Sequence, residues 1–120
     1  MEFLNKLELR GVVGRADINA YNGSRVCNFS VVTEASAVDR EGNSIVEPTW
    51  FNITAWNSIP GLLSLDEIQK GLWVHVIGRL RTRKYTTAEG EERTSSDVLA
   101  RRIEIIPRED NSGMQPERNY

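Results

Sequence analysis

Residues 71–86 read GLWVHVIGRLRTRKYT, and their alternation decides how the chain folds. Successive side chains of a β-strand point to opposite faces. Leu72, Val74, Val76 and Leu80 therefore share one side, and Trp73, His75, Ile77, Arg79, Arg81, Arg83 and Tyr85 share the other. The first is a core face. The second carries three arginines two residues apart and then an aromatic ring, with Lys84 beside it. Such a strand presents a row of cations to an extended anionic polymer, and nucleic acid is the polymer of that kind.

Moving upstream, residues 60–71 (PGLLSLDEIQKG) read as a short helix. Proline stands early, Leu62, Leu63, Leu65 and Ile68 recur at near-helical spacing, and Gly71 is the stop. Residues 50–56 (WFNITAW) form a third strand with Phe51, Ile53 and Ala55 inward. That leaves Trp50 and Trp56 on an otherwise polar face, which is unexpected in a chain with only three tryptophans. The polar composition of residues 34–48 suggests a long, mobile hairpin loop. A second strand at residues 25–33 turns Cys27, Phe29 and Val31 inward. It is preceded by Tyr21-Asn22-Gly23-Ser24, whose Asn-Gly pair is a strong hairpin signal. The first strand, residues 5–13, alternates Leu7, Leu9, Gly11 and Val13 with Lys6, Glu8, Arg10 and Val12, and Gly11 or Gly14 marks a bend or bulge. Downstream of the central stretch, the chain turns at Ala88-Glu89-Gly90-Glu91. It returns in a last strand over residues 93–106, with Leu99, Ile103 and Ile105 as core positions.

Length and composition bound this reading. A chain of 120 residues is one domain, long enough to bury a core without staples. One cysteine excludes an internal disulfide framework and fits a reducing compartment. No apolar run approaches the roughly 20 residues of a membrane span, and residues 1–10 lack the basic-then-apolar order of a signal peptide, so a cytoplasmic protein is expected. With a net charge of -2 and a pI near 5.5, any positive surface for nucleic acid must be segregated to one side. With one His and one Cys, the sequence offers no zinc set and no nucleophile-base-acid arrangement, and no Gly-rich phosphate loop joins a strand to a helix. No enzyme chemistry, cofactor or metal is expected.

Five short, curled strands bury their apolar faces best by closing into a barrel, which also removes exposed edges. The expected fold is all-β, a five-stranded OB-fold barrel with a short helix between strands 3 and 4. A small sandwich is the alternative, although sandwiches usually want about seven strands.

Several segments carry a family resemblance: Asn5-Lys6-Leu7 with Val12-Val13-Gly14, Asn28-Phe29-Ser30-Val31, Thr49-Trp50, Lys70-Gly71, and above all Gly78-Arg79-Leu80-Arg81-Thr82-Arg83-Lys84-Tyr85. From about residue 5 to 106 the chain resembles the bacterial single-stranded DNA-binding proteins. The resemblance implies an OB-fold subunit that forms a homotetramer in the bacterial cytoplasm, at the nucleoid. Such a subunit binds single-stranded DNA without sequence preference during replication, recombination and repair.

It also implies roles for particular residues. Unpaired strands expose base faces that stack and phosphates that attract cations. Trp50, Trp56 and Tyr85 stand where the family places stacking aromatics. Each would supply about 1 to 3 kcal/mol per base, a magnitude taken from single-strand binders of this same class. Arg10, Lys70, Arg79, Arg81, Arg83 and Lys84, with Arg40 on the long loop, would meet phosphates, each contact adding roughly 0.7 to the slope of log affinity against log salt. Trp73, His75 and Ile77, expected as an exposed sticky row, point to an oligomer interface. A fourth family aromatic is replaced by Ala35-Ser36-Ala37-Val38, which implies a weaker grip or an altered path there.

Each residue also has a plainer role. Trp50 or Trp56 could cover the barrel end, Tyr85 could be cross-strand filler, and the arginine row could pair with Glu89, Glu91 and Glu92 across the hairpin. Cys27 is most simply a small core residue. Residues 1–107 are expected to form the binding domain and residues 108–120 a short disordered tail. The family's usual acidic tip with its apolar end, which recruits replication and repair proteins, is absent from that tail. Either the recruiting function is missing, or the chain is a shortened form or an accessory copy from a mobile element. Two other functions stay open: a dimeric primosomal module bridging replication partners, or an OB module for RNA or oligosaccharide.

Overall fold

The computed structural model describes residues 2–107, so the tail expected from residue 108 onward lies outside them. Five strands follow one another: β1 (Leu7–Tyr21), β2 (Ser24–Val38), β3 (Ser44–Trp56), β4 (Trp73–Thr86) and β5 (Glu92–Ile105). They close into a barrel in the order β1-β2-β3-β5-β4. All neighbours are antiparallel except β3 and β5, which meet in parallel through Ile53 with Val98 and Thr54 with Leu99. This is the OB-fold arrangement expected from the sequence.

Closure depends on β1, whose first half pairs with β4 and whose second half pairs with β2. A strand serving two neighbours must bend sharply, and it does so at the register shift between Val13 and Arg15, where Gly14 is the extra residue. The Asn-Gly turn forms as expected, with Asn22 and Gly23 both at positive φ and Tyr21 paired with Ser24. Inside the barrel, Val13, Phe29, Val31, Ile53, Val74, Val76, Val98 and Ile103 are almost fully buried.

Three expectations need correction. Residues 34–48 are not a loop: Glu34 through Val38 pair with Pro48 through Ser44, and only a tight turn held by the Asp39 carboxylate separates them. This ribbon projects past the barrel, so both its faces are solvated and no hydrophobic alternation marks it as strand. The segment between β3 and β4 holds a single 3-10 turn, Leu65–Glu67, capped by the Ser64 side chain, and not a helix over residues 60–71. Its start is committed elsewhere, because the Pro60 carbonyl accepts from the Ile103 amide and Gly61 takes a positive φ pressed against the Ile103 carbonyl. Ile59, Leu65 and Ile68 still plug the barrel end as an apolar cap.

The third correction concerns phase. In β5 the buried residues are Val98, Ala100 and Ile103, while Leu99 is half-buried and Ile105 is exposed. Ile77 pairs with Arg102 but Gly78 with Ala100, so Arg101 is an extra residue and the alternation flips across it. Leu80, expected in the core, is also exposed, because β4 and β5 continue beyond the barrel as a second arm.

Candidate nucleic-acid interface

On the outer wall, directly opposed residues of antiparallel strands share a face. The β2–β3 register therefore sets Val26, Asn28, Ser30 and Val32 beside Trp56, Thr54, Asn52 and Trp50. Period two along β3 places both tryptophans on this one wall, about 20 Å apart at roughly 3.3 Å per residue. Trp50 is 59% and Trp56 40% exposed, so neither ring is sealed inside the barrel. Trp50 leans across β2 onto β1, where a side chain at Gly14 would strike its ring. The same glycine that bends β1 thus leaves room for the indole to lie flat.

Arg81 and Arg83 meet this wall from β4. With Tyr21, Asn28, Thr54 and Trp56 they line an open groove of about 440 Å³. A neighbouring hollow shares Asn28, Thr54 and Arg83 with it and continues to Arg15, Asn52 and Ser95. Trp56, Thr54 and Asn52 thus line a track along β3 walled by arginine, and Trp50 follows on the same face of the strand. Tyr85 lies further along the same face of β4, 50% exposed on the second arm.

The two arginines differ in what they can offer. Arg81 grips Asp97 through Nε at 2.9 Å and Nη2 at 3.1 Å, in a pair whose side chains are mostly covered. The Thr54 hydroxyl lies 3.0 Å from the same carboxylate. Hydrogen bonding from Arg81, outweighing the cost of burial, holds the Asp97 carboxyl below its ordinary range, and the same bond raises Arg81 above its own. Arg83 stands only 3.7 Å from Asp97 and keeps a largely exposed guanidinium. Arg83 is therefore the available cation, and Arg81 is a fixed part of the wall. Of the glutamates of the β4–β5 turn, Glu91 binds Arg93 rather than the arginine row, and among the described residues no ion pair joins that row to Glu89 or Glu92.

The other cations singled out from the sequence scatter. Arg79 is exposed on the Arg81 face, while Lys84 falls on the opposite face of the arm by alternation. Lys70 lies beside Gly14 and Arg15, on the Trp50 side of the barrel. Arg10 is not in the groove. It stands opposite His75 on the wall formed by β1, β4 and β5, with Val12 opposite Trp73 and Glu8 opposite Ile77. There the expected exposed row is half-buried, because β1 and β5 flank it on both sides. His75 Nε2 lies 2.6 Å from Glu8 and Nδ1 3.7 Å from Glu104.

Three groove residues carry little signal in the sequence alone. Tyr21 reads as part of the turn, although a two-residue turn pairs it with Ser24 and so puts it on the face of Val26 and Trp56. Asp97 needed the β4–β5 register before its carboxylate could be set opposite Arg81. Arg15 sits past the β1 bulge, where its face could not be read from alternation. Among the described residues no cluster of three or more His, Cys, Asp or Glu could hold a metal, and no helix is long and apolar enough to cross a membrane.

Comparison with known proteins bears on this wall. The model of the single-strand binding protein family matches residues 4–106. A single-stranded DNA-binding protein of Neisseria meningitidis serogroup B is 37% identical over 116 residues, covering 94% of this chain and 66% of the relative. One from Xanthomonas campestris is 30% identical over 105 residues, covering 86% of this chain and 60% of the relative. The chain thus spans just under two thirds of the length of these curated relatives. Among solved structures, the Plasmodium falciparum SSB complex with ssDNA superposes with a TM-score of 0.75 at 25% identity, covering 89% of this chain and 98% of that one. The wild-type single-stranded DNA binding protein from Thermus aquaticus gives a TM-score of 0.72 at 21% identity, covering 88% and 52%, which speaks to the fold alone.

Proposed function

Because the chain belongs to the single-strand binding protein family, we propose that it binds single-stranded DNA without sequence preference and protects it during replication, recombination and repair. The observation that carries this reading is the shared wall, where Trp50 and Trp56 stand exposed along β3 and Arg83 lines both the groove beside Trp56 and the hollow next to it. Bases stack on the rings, and every base has a π face, so affinity is sequence-tolerant. Phosphates lie against Arg83 and Arg79, with Tyr85 extending the track along the second arm. Arg81 contributes through the fixed geometry of its Asp97 pair more than through free charge. Residues 1–107 act as the binding domain, in the bacterial cytoplasm, and the role is that of a binder with no catalytic step.

The half-buried row of Trp73, His75 and Ile77 serves as a subunit interface in a homotetramer, since an apolar row on a sheet face is a surface that a second copy can cover. Arg10 lies on this wall and is reassigned with it. The ribbon of β2 and β3 carries Ala35 to Val38 where relatives of this type would place a further ring, so it guides the strand without stacking on it.

Titration with a dT series of increasing length, followed by tryptophan fluorescence with light scattering in parallel, tests the function. Quenching that saturates at a defined length and reverses in high salt is expected, with a tetrameric mass. Absence of quenching at every length would reject the reading. A matched RNA that competes better than dT would move it to an RNA module.

A further inference from the structure

We infer that Tyr21, at the end of β1, is an additional base-stacking residue that extends the binding track onto the β1–β2 turn. The inference rests on the groove being a path for single-stranded DNA. Its ring centroid lies 6.3 Å from that of Trp56, with the planes tilted by 46°. At that tilt the two rings are not stacked on each other, and each keeps surface open to solvent: Tyr21 is 55% and Trp56 40% exposed. Both line the same groove as Arg81 and Arg83. With the centroids 6.3 Å apart no base fits between the two rings, so a base entering the groove stacks on the open face of one ring and its neighbour on the open face of the other, while the phosphate between them faces Arg83.

A tight turn sets the position of the ring. Asn22 and Gly23 at positive φ fix a two-residue turn, and the Tyr21–Ser24 pair fixes the direction of the ring. Asn57 secures the neighbouring chain: its side-chain oxygen accepts from the Arg25 amide at 2.9 Å, and its own amide donates to the Arg25 carbonyl at 2.7 Å. The turn is thereby tied to the end of β3 that carries Trp56. A ring serving only as a lid for Trp56 would make the same contact, so the test separates an apolar cover from a π surface.

Tyr21→Leu keeps an apolar cover and removes the ring, whereas Tyr21→Phe keeps the ring. With dT oligomers, Tyr21→Leu is expected to bind about tenfold more weakly, within the range for loss of one stacked base, and Tyr21→Phe within about twofold of the parent. Parent-like affinity of Tyr21→Leu would overturn the inference and leave the proposed function standing if Trp56→Ala is weakened. Failure of the parent itself to bind would overturn both. Should Tyr21→Leu not fold, the unmodified chain is irradiated with an oligomer carrying 5-bromodeoxyuridine and the adducts are mapped by mass spectrometry. Adducts at both Tyr21 and Trp56 are expected, and adducts at Trp56 without Tyr21 would overturn the inference.

Discussion

Strand β4 supplies two walls of the same barrel with the same kinds of residue, and they come out differently. Near its start, Trp73, His75 and Ile77 meet Arg10 and Glu8 from β1 and Glu104 from β5. Near its end, Arg81 and Arg83 line the groove beside Trp56, and Tyr85 shares their face of the second arm. Each wall has aromatic rings and arginines. On the first, the row is half-buried by its neighbours, and the carboxylates of Glu8 and Glu104 crowd His75. On the second, the rings are exposed along a groove, and one carboxylate, Asp97, satisfies Arg81 while leaving Arg83 largely free. Residue type alone therefore does not define a binding surface. Exposure and local charge balance are what separate the wall proposed for assembly from the wall proposed for DNA.

The comparison breaks first at the tryptophans. A Trp50→Ala, Trp56→Ala double variant should lose about 2 to 6 kcal/mol of affinity for dT oligomers, since each ring supplies roughly 1 to 3. Trp73→Ala should instead alter the mass measured by light scattering. Equal loss of DNA affinity from the double variant and from Trp73→Ala, at unchanged assembly state, would erase the distinction between the walls.

Next come the cations. Arg83→Ala should reduce the slope of log affinity against log salt by roughly 0.7, the value for one phosphate contact on a single strand. Arg10→Ala should leave the slope unchanged, and Arg81→Ala should fall between them because its charge is already balanced. A steeper dependence on Arg10 than on Arg83 would shift the phosphate path to the other wall.

A smaller effect is expected at Gly14. Replacement by Ala puts a methyl against the Trp50 ring and forces the indole from its place, at about 1 kcal/mol for an off-rotamer side chain. The fold should persist while affinity falls by less than in Trp50→Ala. An unchanged Trp50 environment by fluorescence would show that the glycine serves the β1 bend alone.

The smallest effect concerns the Arg81–Asp97 pair. Because the Asp97 carboxyl titrates lower in the folded chain than the ordinary value near 3.9, its ionisation stabilises the fold above that value. That stability is lost as the pH falls through the lowered folded value. The melting difference between the parent and Asp97→Asn should accordingly be constant near neutrality and shrink below about pH 4. A difference independent of pH across that range would mean that the ionised pair adds nothing.

Much of this was legible in the sequence wherever one face of a strand is buried. The alternation in β4 and the WFNITAW stretch of β3 locate the core face and, by subtraction, the exposed rings. The Asn-Gly turn at residues 22 and 23 was also readable, as was a bend at Gly11 or Gly14, which the β1–β2 register assigns to Gly14, because each is a local backbone demand. What escaped either lacks a period along the strand or is set by contacts distant in sequence. The ribbon of residues 34–48 has two wet faces and so no period to read, and the bulge at Arg101 changes phase without any compositional mark. The segment at residues 60–71 carries helical spacing, yet the hydrogen bond from Ile103 to Pro60 and the turn at Gly61 override it. Within the site, Tyr21 and Asp97 depend on cross-strand register, which alternation along one strand does not supply.

Single-tryptophan variants test the division of walls most directly. One keeps Trp56 and carries Trp50→Phe and Trp73→Phe; the other keeps Trp73 and carries Trp50→Phe and Trp56→Phe. Poly-dT should quench the first, reversibly with salt, and leave the second bright. Strong quenching of the Trp73 chain with an unchanged signal from the Trp56 chain would place the DNA on the wrong wall and contradict the account.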